Sequence, residues 1–160
     1  MLTVQRVKTS AILAYVNDEF YDTVIVMPSI RMAQAKRAAD VMVGRTEASG
    51  LLVIAEDDLR MGFIATANYV YAKTSSSFFC YTAQDAFAGY YWLEQGLETI
   101  NACDGGLLAF NDGRFFGGLA AFGLVRGGWT NSLYGSSQFF PHYNNASAAT
   151  CLFFTPSSAL

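Results

Sequence analysis

Short unbroken apolar runs alternate along the chain with longer stretches in which apolar residues recur at helical spacing. "TVIVM" (residues 23–27) is mostly β-branched and has no charged interruption, the text of a strand buried on both faces. Pro28-Ser29 closes it, and Ser29 reads as the N-cap of a helix that Gly44 stops. Between them Met32, Ala35, Ala38, Ala39 and Met42 share one stripe, while Arg31, Lys36, Arg37 and Asp40 lie largely elsewhere. "LLVIA" (51–55) predicts a second buried strand, ending at Glu56-Asp57-Asp58. A second helix is predicted over about 61–73, with Phe63, Ile64, Ala67, Val70 and Tyr71 as its stripe. "SFFCYTA" (77–83) reads as the third strand, and Asp85 follows it. The third helix has Leu93, Leu97 and Ile100 inside and Glu94, Gln95 and Glu98 outside. Residues 107–110 predict a fourth strand, closed by Asn111-Asp112-Gly113, itself a strong turn sequence.

Strand and helix thus alternate through the first two-thirds of the chain. That predicts an α/β fold of three layers, a mainly parallel sheet flanked by helices. The first 21 residues are harder to read. Arg6 and Lys8 precede an apolar run (11–16) that is too short for a membrane span and lacks a convincing signal-peptide cleavage site. Beyond Asp112 the text changes. From 113 to 160 there is no Asp or Glu, and Arg114 and Arg126 are the only Lys or Arg residues. "LAAFGLV" there fits a helix or a strand equally well.

Composition narrows the classes. The chain has 160 residues, is 52% hydrophobic and only 14% charged, and so reads as one globular domain. A net charge of −3 gives no reason to expect nucleic acid. Cys80, Cys103 and Cys151 are too few and too widely spaced for a disulfide framework or a zinc site, which favours a reducing, cytoplasmic setting. Asn145-Ala146-Ser147 fits a glycosylation sequon, which would be chance in such a setting.

Three predicted strands end in carboxylates: Glu56 to Asp58, Asp85 and Asp112. In open α/β sheets, ligands sit outside the carboxyl ends of the strands. Phosphoacceptor chemistry needs an acidic pair and a phosphorylatable Asp two strand–helix units apart, and here Asp57-Asp58 and Asp85 are one unit apart. Dinucleotide binding needs a glycine-rich turn after the first strand, where "MPSIRM" has none. A carboxylate-held divalent ion on a sugar diphosphate is the third option.

Residues 24–89 resemble the inverting family 2 glycosyltransferases of GT-A fold, a Rossmann-like nucleotide-diphospho-sugar transferase fold. The family's hydrophobic strand ending in Pro is matched by "VIVMPS", and its acidic strand end by "LLVIAEDD". Its Ala-Arg-Asn helix is matched by "TAN" (66–68), and Asp85 follows Asn68 by seventeen residues, the spacing of the family's Asp-x-Asp. Residues 22–112 would then be the nucleotide-sugar-binding half and 113–160 a reduced acceptor half. The resemblance implies Pro28 and Ser29 at the base and a base or ribose contact from Glu56, Asp57 or Asp58. It implies Asn68 at the nucleotide and Asp85 on Mn²⁺ or Mg²⁺. Arg60 and Arg126 are phosphate candidates, and Trp92 and Asp112 donor or acceptor contacts.

The implied partners are a nucleoside-diphosphate sugar, with a UDP-sugar first in line, and a glycan or lipid-linked acceptor. Peripheral contact at the inner membrane face, and pairing of two copies through an aromatic surface, are compatible with the same reading. The chain departs from the family in two ways. Ala83 replaces the first Asp of Asp-x-Asp, and no acidic residue follows Asp112 to act as general base, which leaves Asp112 and His142 as candidates. A nucleotide-binding relic without transfer, and a structural or partner-binding module, are therefore the alternatives.

Overall fold

The computed structural model describes residues 1–15, 17–103, 105–112 and 121–130. Its strands are β1 (Leu2–Lys8), β2 (Phe20–Ser29), β3 (Gly50–Glu56), β4 (Ser75–Tyr81), β5 (Leu107–Ala109) and β6 (Gly123–Arg126). The helices are α1 (Met32–Val43), α2 (Phe63–Ala72) and α3 (Trp92–Ala102), with a short 3-10 helix at Thr9–Ala14. The strands form one sheet in the order β1-β3-β2-β4-β6-β5. β1, β3, β2 and β4 run parallel, whereas β6 is antiparallel to both β4 and β5. The α/β expectation therefore holds, and the sheet is mixed at one side.

Two unbroken apolar runs make the centre. Val24, Val26, Leu51, Val53 and Ala55 point to one face, where α2 (Ala67, Val70) and Ile12 of the 3-10 helix cover them. Ile25, Met27, Leu52 and Ile54 point to the other, under α1 (Ala35, Ala38, Ala39, Met42) and α3 (Leu93, Ile100). Side chains alternate between the faces of a strand, so a strand covered on both sides must be apolar throughout. Each fully buried aliphatic side chain contributes about 1.5–3 kcal/mol.

The predicted stripe of α1 is the buried one, and Gly44 ends the helix, its N–H donating to the Asp40 carbonyl at 3.0 Å. Ser29 is not its N-cap. It is still in β2, and its hydroxyl donates to the Met27 carbonyl at 3.0 Å, while Arg31 stands at the cap position without a side-chain bond. In α2 the predicted stripe holds at Ala67 and Val70, but Phe63 is exposed.

β1 was not predicted. Only Leu2 and Val7 of its seven residues are buried, because it is an edge strand with neither a continuous run nor a clean alternation. Glu94 was expected outside. Its Oε1 instead accepts the Thr46 hydroxyl and the Ala48 N–H at 2.8 Å, together with the Glu47 N–H, pinning the α1–β3 turn to α3. Burial works to raise the Glu94 pKa, but these bonds outweigh it and leave the carboxyl lowered.

Candidate functional site

β2 and β4 are neighbours from which the chain departs in opposite directions along the sheet, from β2 outward to β3 and from β4 outward to β5 on the far side of β6. This is a topological switch point, where open α/β sheets bind ligands. Its walls are the turns after β2 (Ile30, Arg31) and after β4 (Thr82 to Asp85). Gln84 bridges them, its Oε1 accepting the N–H groups of Ile30 and Arg31 at 2.9 Å each. Gln84, the middle residue of "AQD", thus spends its acceptor on backbone. Pro28 and Ser29 are buried below.

The three acids after β3 lean toward β1. Glu56 pairs with Arg6 at 2.6 Å. Asp57 is buried and accepts the N–H groups of Met61 and Gly62 at 2.8 Å each, just before α2, and its own N–H donates to the Ser29 carbonyl at 2.8 Å. Asp58 accepts the Ser10 hydroxyl at 2.5 Å, the Ser10 N–H at 2.9 Å and the Thr9 hydroxyl at 2.8 Å. Those donors pull its carboxyl down to about 2. The bonds tie loops together and ease the start of α2.

Arg60 is exposed beside them, with a left-handed backbone at φ 56. Asn68 is half-buried on α2, across the sheet from α1 and α3. Arg126 donates to the Ile100 carbonyl at 2.8 Å and lies over Phe78, on the strand pair that ends at Gly123 and Tyr81. His142 lies outside the described residues.

The feature that gathers functional groups is a cleft of about 770 Å³ on the α1/α3 side, between the loop after β4, α3 and the ends of β5 and β6. Asp85 and Asp112 both line it, the first exposed, the second half-buried. Trp92 forms part of its floor, held by its N–H to the Met42 carbonyl at 3.1 Å and edge-on to Phe110 at 5.8 Å. Gln95 and Thr99 on α3 add polar groups. Cys80 also reaches the cleft, but burial pushes its thiol up, so it is no ready nucleophile. Glu56, Asp57, Asp58, Arg60 and Asn68 do not line this cleft.

Carboxylate oxygens suit Mg²⁺ or Mn²⁺. Among the described residues, however, no group of three or more His, Cys, Asp or Glu side chains comes together to hold a metal. Asp85 and Asp112 fit an ion only where a diphosphate and water complete its shell. The roles of Glu94 and Gln84 are not legible in the sequence because most of their partners are backbone N–H groups, which no side-chain pattern spells out.

Fold and cleft define the chain as a mixed α/β domain with two carboxylates at the carboxyl edge of its sheet. Compared with protein-family models, with curated proteins and with solved structures, the chain matches none of them. No helix among the described residues is long and apolar enough to cross a membrane.

Proposed function

We propose that this chain is the donor-binding domain of a GT-A-type glycosyltransferase, taking a nucleoside-diphosphate sugar and a glycan or lipid-linked acceptor at the inner side of the cell envelope. The observation that carries the reading is the convergence of Asp85 and Asp112 on one cleft beside the switch point. In the reaction the bond from the anomeric carbon to the diphosphate oxygen breaks and the acceptor oxygen takes its place. The acceptor proton passes to a base. Asp85 would hold Mn²⁺ or Mg²⁺ jointly with the diphosphate, and the ion supplies neutralisation of the leaving charge. Asp112, the other carboxylate of the cleft, serves as proton acceptor.

Binding without transfer is the second reading. Ala83 carries no ligand, and the Gln84 oxygen is already engaged by Ile30 and Arg31.

The test is thermal melting with UDP, GDP, CDP and dTDP, each with and without Mn²⁺, beside Asp85→Ala and Asp112→Ala. The expected result is a rise with one diphosphate in Mn²⁺, growing with concentration as linkage requires and lost in Asp85→Ala. Donor-sugar turnover by the unmodified chain, abolished in Asp112→Ala, separates transfer from binding alone. No rise at millimolar ligand in a cooperatively melting chain defeats both readings.

A further inference from the structure

After β4 the chain does not enter α3 at once. Residues 82–91 are fastened twice to the turn that follows α1, by the Tyr91 N–H donating to the Arg45 carbonyl at 2.7 Å and by Arg45 Nη1 donating to the Ala88 carbonyl at 2.6 Å. Tyr91 is held left-handed at φ 57, a conformation that costs a bulky residue energy and persists only where its surroundings fix it. The fastened loop turns three rings into water: Phe87 is 51% exposed, Tyr90 69% and Tyr91 55%.

Two of these rings are paired with cations. The Arg37 guanidinium carbon lies 5.7 Å from the Phe87 ring centre, and that of Arg45 lies 4.9 Å from the Tyr90 centre. Among the described residues neither arginine is in an ion pair. Phe87 and Tyr90 also line the cleft that holds Asp85 and Asp112. Exposed apolar surface rimmed by polar groups marks a binding site more often than a bare surface does. A guanidinium over a ring keeps its in-plane N–H donors for other partners, and Arg45, with Nη1 given to the Ala88 carbonyl, still has its remaining N–H groups for a carboxylate.

We infer that the 87–91 loop is the acceptor subsite, and that it takes an acidic oligosaccharide. The apolar C–H faces of the sugars lie on Phe87 and Tyr90, and their carboxylates meet Arg37 and Arg45. The chain end then reaches the cleft. The role as acceptor rests on the function proposed above. Recognition of an acidic sugar chain stands on the loop itself. Cations without a carboxylate partner among the described residues, set beside exposed rings, favour an anionic over a neutral chain.

Calorimetry with hexagalacturonate, and with cellohexaose as its uncharged counterpart, tests the inference on the full chain, Tyr90→Ala and Arg37→Gln. Diphosphate melting is run on the same three proteins. The expected result is at least about ten-fold tighter binding of hexagalacturonate than of cellohexaose, weakened about ten-fold in each variant. The diphosphate-dependent rise should stay unchanged in both variants. Absence of hexagalacturonate binding, equal affinity for the two sugars, or binding indifferent to Tyr90→Ala overturns the subsite. Loss of the diphosphate rise in Tyr90→Ala overturns it too, because the ring then serves the nucleobase. Hexagalacturonate binding through Tyr90 in a chain that shows no diphosphate rise supports the sugar site and defeats the donor reading instead.

Discussion

Gln84 and Arg31 meet across the switch point, where the Gln84 Oε1 accepts the Arg31 N–H at 2.9 Å and the neighbouring Ile30 N–H at the same distance. The first amides of a helix have no partner within it. Here one side-chain oxygen from another loop satisfies the two just before α1. Gln84→Ala should cost about 1–2 kcal/mol of unfolding free energy, read as a lower urea midpoint, and speed amide exchange at Ile30 and Arg31. Gln84→Glu keeps the acceptor and adds a negative charge at a helix start, so it should hold or raise the midpoint. An Ala variant with unchanged exchange would show that the bond is not formed in solution.

Asp58 gives the fold a defined acid sensitivity. Its carboxyl sits at about 2 against an ordinary 3.8, chiefly through the Ser10 hydroxyl, then the Ser10 N–H and the Thr9 hydroxyl. The folded value lies below the unfolded one. The contribution is therefore complete above the unfolded value and is lost as pH falls through the folded one. Urea midpoints should drop across that window, and Asp58→Asn should drop less. Parallel curves for the two proteins would remove Asp58 from the account.

Gly50 starts β3 with a backbone at φ 157, against β2. A Cβ there would run into the Thr23 carbonyl oxygen and come within 3.2 Å of Leu2. A carbonyl inside a sheet cannot swing away, so Gly50→Ala should cost about 3 kcal/mol in denaturant unfolding. A near-neutral variant would mean that β2 and β3 can separate at that end.

Two contacts of very different appearance should rank in a definite order. The Arg6–Glu56 pair is short, at 2.6 Å, but its side chains are 57% and 22% exposed. Arg6→Ala should cost less than about 1 kcal/mol. Leu52 is fully buried under α1, and Leu52→Ala should cost about 2–5 kcal/mol. Unfolding both variants in the same denaturant checks the order, and the reverse ranking would mean that the core can collapse around the cavity.

The central layer is legible because a strand covered on both faces has to be written without polar interruption, as residues 24–28 of β2 and 51–55 of β3 are. β1 was not legible, since its pairing with β3 is made by backbone and leaves only Leu2 and Val7 in the core. At the site, the carboxylates after β4 and β5 could be read as strand ends, and they do share a cleft. The acids after β3 could be read the same way, yet their oxygens go to Arg6, to loop amides and to the hydroxyls of Thr9 and Ser10. Sequence gives the charge and its position along the strand. Which neighbour takes up that charge depends on the strand order, and the order was hidden with β1.

That strand order also governs how the chain comes together. β1 is made before the strand it pairs with, and both β2 and α1 lie between them in the chain. Until β3 docks, β1 has no ladder to join. Its closure on β3 therefore joins residues about fifty apart in the chain, a non-local contact of the kind that slows folding. Once closed, β1 pairs on one side only among the described residues. Arg6 and Lys8, exposed along this edge strand, put charge where another strand would otherwise add. The same two cations that make the stretch look unlike a strand guard its edge against pairing with another chain.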